Sequence, residues 1–140
     1  MGIEPFLIAY AINIVVAQRL IRTLCPHCKR AIPKDQFDRD MYLRFGVDEE
    51  ALNSSTIYEP VGCEKCSHGY KGRAAIHESL FFTKEIRNII VRSGVEVDEE
   101  AIRTQAIKDG MWPLRRSGIE RIKAGETTLE EIASATTEED

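Results

Sequence analysis

Two C-x-x-C doublets, Cys25–Cys28 and Cys63–Cys66, are the feature that most constrains how this 140-residue chain folds. No cysteine lies outside them. Each C-x-x-C turn directs two thiolates towards one point, so two turns supply the four soft ligands of a tetrahedral zinc site. Four protein ligands leave no coordination position open for a substrate, which predicts a structural zinc ion. The predicted metal ligands are Cys25, Cys28, Cys63 and Cys66.

Disulfides and thioredoxin-like redox chemistry are the alternative uses of paired cysteines. The apolar run near the start has no cationic n-region and no small-residue cleavage site, so we expect no secretory signal and no disulfides. A redox centre needs one C-x-x-C at a helix start within a βαβ unit, not two matched doublets. His27 and His68 lie beside the doublets, and either could replace a cysteine, but four cysteines already complete the shell.

Charge is distributed unevenly along the chain, whose formal net charge is −4. This balance gives no overall attraction to nucleic acid or to an anionic membrane. Residues 125–140 carry six acids and no base, which is typical of a solvated tail beyond Thr136. Four thiolates on one Zn²⁺ leave a double negative charge, and we expect the flanking cations to offset it. These cations are Arg19, Arg22, Lys29, Arg30, Lys65, Lys71 and Arg73.

The apolar run from Pro5 to Ala17 predicts a helix from Glu4 to Leu24, with Pro5 in its first turn. Such a helix is apolar on nearly every face and needs partners on every face. The rest of the chain is too short to cover it, which suggests a fragment of a larger protein or a helix that dimerises. The run is interrupted by Asn13 too early for a membrane span, which needs about 20 apolar residues.

Between and after the doublets the sequence predicts two short helices and two strands. The strand after the second doublet is expected to pair with the strand before it, as a small antiparallel ribbon over the metal. Because this arm is short, we expect the metal to hold it, so that replacing Cys63 by serine unfolds residues 25–82. The predicted elements are helices Lys34–Phe45 and Glu49–Leu52 and strands Thr56–Glu59 and Arg73–Phe82.

From Thr83 onwards, alternating cap and stop residues predict four short helices in a compact bundle. The first begins after Thr83, the second after Asp98, and the last opens with the capping box Thr128–Glu131. Glu78 is expected to pair with a nearby cation. Trp112 is expected to fill the core of the bundle, and if exposed it is a candidate contact for a partner. The other residues predicted to face the interior are Ile86, Ile89, Ile90, Ile102, Ala106, Ile107, Ile119 and Ile122.

These patterns predict an α+β, mostly helical fold. It combines a tetracysteine zinc-binding subdomain, which carries a small antiparallel ribbon, with a C-terminal bundle of short helices. Three parts of the chain are predicted: a terminal helix at residues 1–24, the zinc-binding subdomain at residues 25–82 and the C-terminal helical subdomain at residues 83–140.

No catalytic group is apparent in the sequence. Neither G-x-x-x-x-G-K-[ST] nor G-x-G-x-x-G before a helix occurs, so the chain by itself is not expected to hydrolyse ATP. A zinc-ribbon nucleic-acid-binding module is the main alternative function. In that module the seven cations would contact phosphates, and binding would weaken steeply with salt. The thiolate charge already accounts for those cations, and the aromatic residues show no stacking pattern, so no nucleic acid is expected.

Six segments occur in one order along the chain: Gly2–Ala9, Ala17–Cys28, Val61–Cys66, Gly69–Glu78, Asp109–Leu114 and Gly125–Glu131. In this order they resemble the C-terminal part of the secretion ATPases that drive type II secretion and type IV pilus assembly. The resemblance covers nearly the whole chain and leaves open which machine the parent serves.

The resemblance implies a hexameric, cytoplasmic, RecA-like motor as the parent, with ATP and Mg²⁺ held by Walker motifs upstream of Met1. Residues 1–24 would end the motor core, residues 25–82 would be a zinc-bound projection, and residues 83–140 would pack on the motor. Neighbouring subunits and an inner-membrane platform protein are the implied partners. The parent would be peripheral to the inner membrane through those partners, without direct membrane insertion.

Overall fold

The computed structural model describes residues 4–94 and 96–136 and has an α+β architecture. In this part of the chain, seven helices accompany two small two-stranded sheets. The helices are α1 (Pro5–Ala11), α2 (Arg39–Phe45), α3 (Glu49–Ser54), α4 (Lys84–Arg92), α5 (Glu99–Lys108), α6 (Leu114–Lys123) and α7 (Leu129–Thr136). The strands are β1 (Ile14–Leu24), β2 (Arg30–Ala31), β3 (Tyr58–Glu59) and β4 (Tyr70–Phe81).

The predicted helix from Glu4 to Leu24 is wrong beyond Ala11. α1 is seven residues long with Pro5 in its first turn, and residues 14–24 form strand β1. β-branched side chains are restricted in a helix and favoured in a strand. Five of the eleven residues of β1 are of this kind, namely Ile14, Val15, Val16, Ile21 and Thr23.

An antiparallel ribbon is present, but its predicted pairing is wrong. β3 pairs with β2, the short strand after the first doublet, with Arg30 opposite Glu59 and Ala31 opposite Tyr58. β4, the strand after the second doublet, pairs with β1 instead. Because residues 14–24 are a strand and not a helix, they offer β4 a long ladder that a two-residue strand cannot match.

The chain folds into two compact units. The first contains the residues up to Ala17 together with His77–Pro113, and the second contains Gln18–Ile76 together with the residues from Leu114 on. The chain changes unit inside β1, inside β4 and before α6. The division at 24/25 and 82/83 stays a prediction about the organisation of the parent.

The first unit is built around α1, α4 and α5. Thr83 and Asp98 cap α4 and α5 as predicted, since their side chains accept hydrogen bonds from the backbone N–H groups of Ile86 and Ala101. The core residues are Ala9, Ile86, Ile90 and Ala106, with Leu80, Phe82, Ile102 and Met111 packed against them.

Two residues predicted to be interior in this unit are not. Ile107 and Trp112 are each 46% exposed. The backbone turns at Gly110, whose φ is +103°, and Met111 rather than Trp112 packs on the core. Glu78 meets a cation as predicted, with Arg103 Nη1 3.9 Å from its Oε1.

The second unit has the larger core, which α2, α3, α6 and α7 enclose with parts of β1 and β4. Ile119 and Ile122 are buried as predicted. Residues between the doublets also contribute. The fully buried members of this core are Ile21, Val47, Leu52, Ile76, Leu114, Ile122 and Ile132.

Close packing of α6 on α7 makes Gly118 a sensitive position. An added methyl group there would lie 2.5 Å from Cγ2 and 2.8 Å from Cδ1 of Ile132. We expect Gly118→Ala to lower the free energy of unfolding by about 1–3 kcal/mol from overpacking, although alanine favours a helix by about 1 kcal/mol. Urea unfolding measures the change.

A double-mutant cycle separates the clash from other effects of the substitution. On an Ile132→Ala background the conflicting atoms are gone, so Gly118→Ala should become neutral or stabilising. An equal cost on both backgrounds would contradict this account of the helix contact.

Candidate metal centre

The sulfur atoms of the four cysteines all lie within 4.8 Å of one another. The Sγ–Sγ distance is 3.8 Å between Cys25 and Cys63, 3.7 Å between Cys28 and Cys66, and 3.6 Å between Cys63 and Cys66. A tetrahedral zinc ion with Zn–S bonds of about 2.3 Å holds its sulfurs about 3.8 Å apart. Disulfide sulfurs are about 2.05 Å apart, so none of these pairs is a disulfide. The donor set and its spacing therefore fit one tetrathiolate-bound ion.

Backbone N–H groups surround the sulfurs. Gly62 N donates to Cys28 Sγ at 3.3 Å, and Cys63 N donates to Cys66 Sγ at the same distance. Such bonds favour the negatively charged sulfur over the thiol. The four-cysteine cluster includes neither His27 nor His68.

The second doublet contains two thiols of different acidity. Burial acts to raise the pKa of Cys66, but hydrogen bonds from the backbone at Cys63 and Gly69 prevail and lower it to about 7. A backbone hydrogen bond at Lys65 acts to lower the pKa of Cys63, but desolvation and the neighbouring thiols raise it to about 11. The cluster thus offers a thiolate at neutral pH as the first ligand for an incoming cation.

The end of β1 positions the first doublet. Contacts with α7 and with the loop before α7 hold this end of β1 in place. The backbone N–H of Leu24 donates to Glu126 O at 2.8 Å, and Thr127 Oγ1 donates to Arg22 O at 2.8 Å. Arg22 Nη2 lies 2.9 Å from Glu131 Oε2, and the backbone N–H of Arg22 donates to Glu131 Oε1 at 2.9 Å. We call this set of contacts the β1 clamp. It fixes the backbone directly before Cys25.

The second doublet is held by the loop that follows it. The backbone N–H of Cys25 donates to Gly69 O at 2.9 Å, which ties the two doublets together. Gly69 has a φ of +93°, and a Cβ there would lie 2.4 Å from Cβ of Pro60. Only glycine permits this approach of two backbone segments at the edge of the cluster.

Three of the cations expected to offset the thiolate charge make their direct contacts elsewhere. Arg22 binds Glu131, Arg30 binds Glu59, and Lys29 Nζ donates to Gly125 O at 2.9 Å. That these cations offset the thiolate charge stays a prediction.

Glu131 is a positioning residue that the sequence reasoning missed. The capping box assigned it to α7, and Thr128 Oγ1 does accept from the Glu131 N–H at 3.2 Å. The Glu131 carboxylate, however, binds Arg22, 109 residues away. The excess of cations before the first doublet and of acids near the chain end was the signal that could have found this pair.

Comparison with known proteins defines the class first. A family model described as "Type II/IV secretion system protein" matches residues 1–134. The chain therefore belongs to the type II/IV secretion system protein family, which confirms the resemblance seen in the sequence.

Individual relatives carry more specific names. The chain is 40% identical over 139 residues to the type IV pilus assembly ATPase PilB of Myxococcus xanthus, with 97% of this chain and 23% of the relative covered. It is 41% identical over 141 residues to PilB of Thermus thermophilus, with 99% and 15% covered. It is 39% identical over 140 residues to the type II secretion system protein E of Aeromonas hydrophila, with 99% and 26% covered. The chain thus spans about a quarter or less of the length of these relatives. Among the described residues, no helix is long and apolar enough to cross a membrane.

The β1 clamp predicts a specific pH dependence. Burial acts to raise the pKa of Glu131, but the hydrogen bonds and charge of Arg22 lower it below the usual 4.5. A carboxyl with a lowered pKa in the folded state stabilises the fold above about pH 4.5, and that contribution is lost as pH falls through the folded-state pKa. We expect Glu131→Gln to cost about 1–2 kcal/mol at pH 7 and to flatten the acid limb of stability against pH.

Glu130→Gln is the matched control, because Glu130 is exposed in the same first turn of α7. Urea unfolding at several pH values between about 3 and 7 compares the two variants. Equal losses in both would contradict the clamp and leave only the helix dipole.

Proposed function

We propose that this chain is the zinc-stabilised C-terminal module of an ATPase that drives type II secretion or type IV pilus assembly. In this role it is a structural and partner-coupling module that does not hydrolyse ATP alone. The observation that carries the proposal is the four-sulfur cluster in a chain that matches this family over residues 1–134. Several relatives of the chain are named as ATPases of these two machines.

Zinc is the ion that this donor set favours. Four thiolates are soft ligands, and tetrahedral sulfur sites select zinc or iron–sulfur chemistry over magnesium or calcium. Binding free energies of about 10 kcal/mol or more are typical of structural zinc at neutral pH. The ion holds Cys25, Cys28, Cys63 and Cys66 together and thereby closes the loops on which β2, β3 and the start of β4 depend.

The reach of the metal is narrower than the sequence suggested. Tyr42, Leu52 and Ile57 lie between the doublets, yet they are buried in the same core as Leu114 and Ile122. Hydrophobic burial therefore holds α2 and α3, and the ion is needed for the two cysteine turns and the ribbon between β2 and β3.

The exposed apolar residues of α1 and β1 support a contact with the remainder of the parent. Tyr10 is 70% exposed, and Val16 is 52% exposed. Monomeric domains rarely leave many such side chains uncovered. In this proposal residues 1–24 join the RecA-like motor core, as the resemblance implies, and these side chains are covered there. The motor core holds ATP and Mg²⁺ through residues outside this chain.

Partner contacts are assigned to the helical part of the chain and to the exposed aromatic residues just before α4 and α6. Phe81 and Trp112 are 64% and 46% exposed, and aromatic side chains are common anchors of protein interfaces. Neighbouring subunits of a hexamer and an inner-membrane platform protein are the proposed partners. The module would act in the cytoplasm, at the inner membrane through those partners.

Metal analysis of the reduced protein tests the proposal directly. We expect about one zinc ion per chain, because the cluster supplies one complete tetrathiolate shell. Cys63→Ser should lose the ion and unfold the ribbon and the cysteine turns, while α2, α3, α6 and α7 keep their amide protection. Elemental analysis and hydrogen exchange measure the two effects.

His27→Ala is the matched control, since His27 is exposed within the first doublet and lies outside the sulfur cluster. It should retain the metal and the exchange pattern. Reduced protein that folds natively without any metal would overturn the proposed role of the cluster.

A further inference from the structure

A second concave site lies in the second unit, lined by the β2–β3 ribbon, α2, the start of β4 and the start of α7. Its volume is about 390 Å³, which falls in the range of about 300–1,000 Å³ typical of ligand pockets. Three tyrosines and two carboxylates contribute to its lining, and no basic residue does. These five residues, which we call the tyrosine pocket, are Tyr42, Tyr58, Tyr70, Glu59 and Glu130.

Aromatic rings in this region already attract cations. Arg22 lies over the ring of Tyr70 at 4.2 Å, and Lys29 lies over the ring of Tyr58 at 4.3 Å. Neither cation lines the pocket. Ring faces carry negative potential, so a pocket with three tyrosines and no lining cation favours a positively charged guest.

Tyr42 is the deepest member of the pocket. Its side chain is only 4% exposed, and its ring is held edge-on against Phe37 at 5.3 Å between centroids. Among the described residues, its hydroxyl makes no hydrogen bond. Because Tyr42 lines the pocket, a guest there can hydrogen-bond this hydroxyl.

The field at the pocket floor is negative. Burial is the main cause that raises the pKa of Tyr42 to about 12, and the charges of Glu130 and then Glu59 add to it. Both carboxylates therefore act on the site that the Tyr42 hydroxyl occupies. Glu59 already binds Arg30. Glu130 has no ion-pair partner among the described residues and is available to a guest.

The walls of the pocket are fixed rather than adaptable. Tyr70 Oη lies 2.9 Å from Thr128 Oγ1, and a Cβ at Gly125 would lie 2.8 Å from the ring of Tyr58. Pro60 and Gly69 meet at the pocket edge, as described above for the metal centre. A preformed pocket loses little entropy when it binds a ligand.

We infer that the tyrosine pocket receives an arginine side chain of a partner polypeptide. A guanidinium group stacks on tyrosine rings and at the same time donates paired hydrogen bonds to a carboxylate, here Glu130. Lysine offers a point charge without the planar stack, so arginine fits better. The inference goes beyond the proposed function and requires only that the second unit is folded.

Titration of the isotopically labelled chain with two matched peptides tests the inference. The peptides are acetyl-Gly-Gly-Arg-Gly-Gly-amide and its citrulline counterpart, which has the same shape and no charge. We expect saturable amide shifts at the five pocket residues with the arginine peptide, and affinity at least about fivefold weaker with citrulline. Equal affinity for both peptides would overturn the inference.

Variants separate the pocket from general acidic attraction. Tyr42→Phe and Glu130→Gln should each weaken the arginine peptide at least about threefold. Glu50→Gln removes an exposed carboxylate of α3 outside the pocket and should leave the affinity unchanged. If Tyr42→Phe does not fold, the affinity of Glu130→Gln for the arginine peptide still tests the inference. The inference would be overturned if the amide shifts spread over the acidic surface and if Glu130→Gln and Glu50→Gln weakened binding of the arginine peptide equally.

Discussion

Four cysteine sulfurs within 4.8 Å of one another are the constraint on which the two cysteine turns and the β2–β3 ribbon depend. Thiolates brought this close repel one another, and only a cation among them makes all four charges favourable. The backbone accommodates the arrangement through N–H groups directed at Cys28 and Cys66 and through the close approach of Gly69 to Pro60. The loops of both doublets thus have a shape that can hold a metal ion.

The same constraint places the elements around the centre. β2 follows the first doublet, β3 precedes the second, and β4 begins just after it, so the three strands start or end near the sulfurs. The β1 clamp connects the backbone before Cys25 with α7 through Arg22 and Glu131. As a result several walls of the tyrosine pocket come from segments that lie next to the cysteine cluster or the clamp in the chain.

Prediction from sequence succeeded where the signal is local. The N-caps Thr83, Asp98 and Thr128 each accept a hydrogen bond from the backbone N–H three residues ahead, and this chemistry needs no distant partner. It failed for residues 14–24, where an almost continuous apolar run was assigned to a helix. A run of that kind does not distinguish a buried helix from a strand, and β-branched composition was the better guide. The prediction that Trp112 is buried failed because the turn at Gly110 directs Met111, and not Trp112, towards the core.

The sequence by itself determined the four metal ligands as candidates, most helix ends and the family, since spacing, caps and ordered motifs are all properties of neighbouring residues. Tertiary structure alone decided that β4 pairs with β1 and β3 with β2. It alone joined Arg22 to Glu131 and gathered three tyrosines from separate elements into one pocket. These contacts link residues far apart in the chain. Their free energy depends on which surfaces the fold brings together, and no local pattern records that.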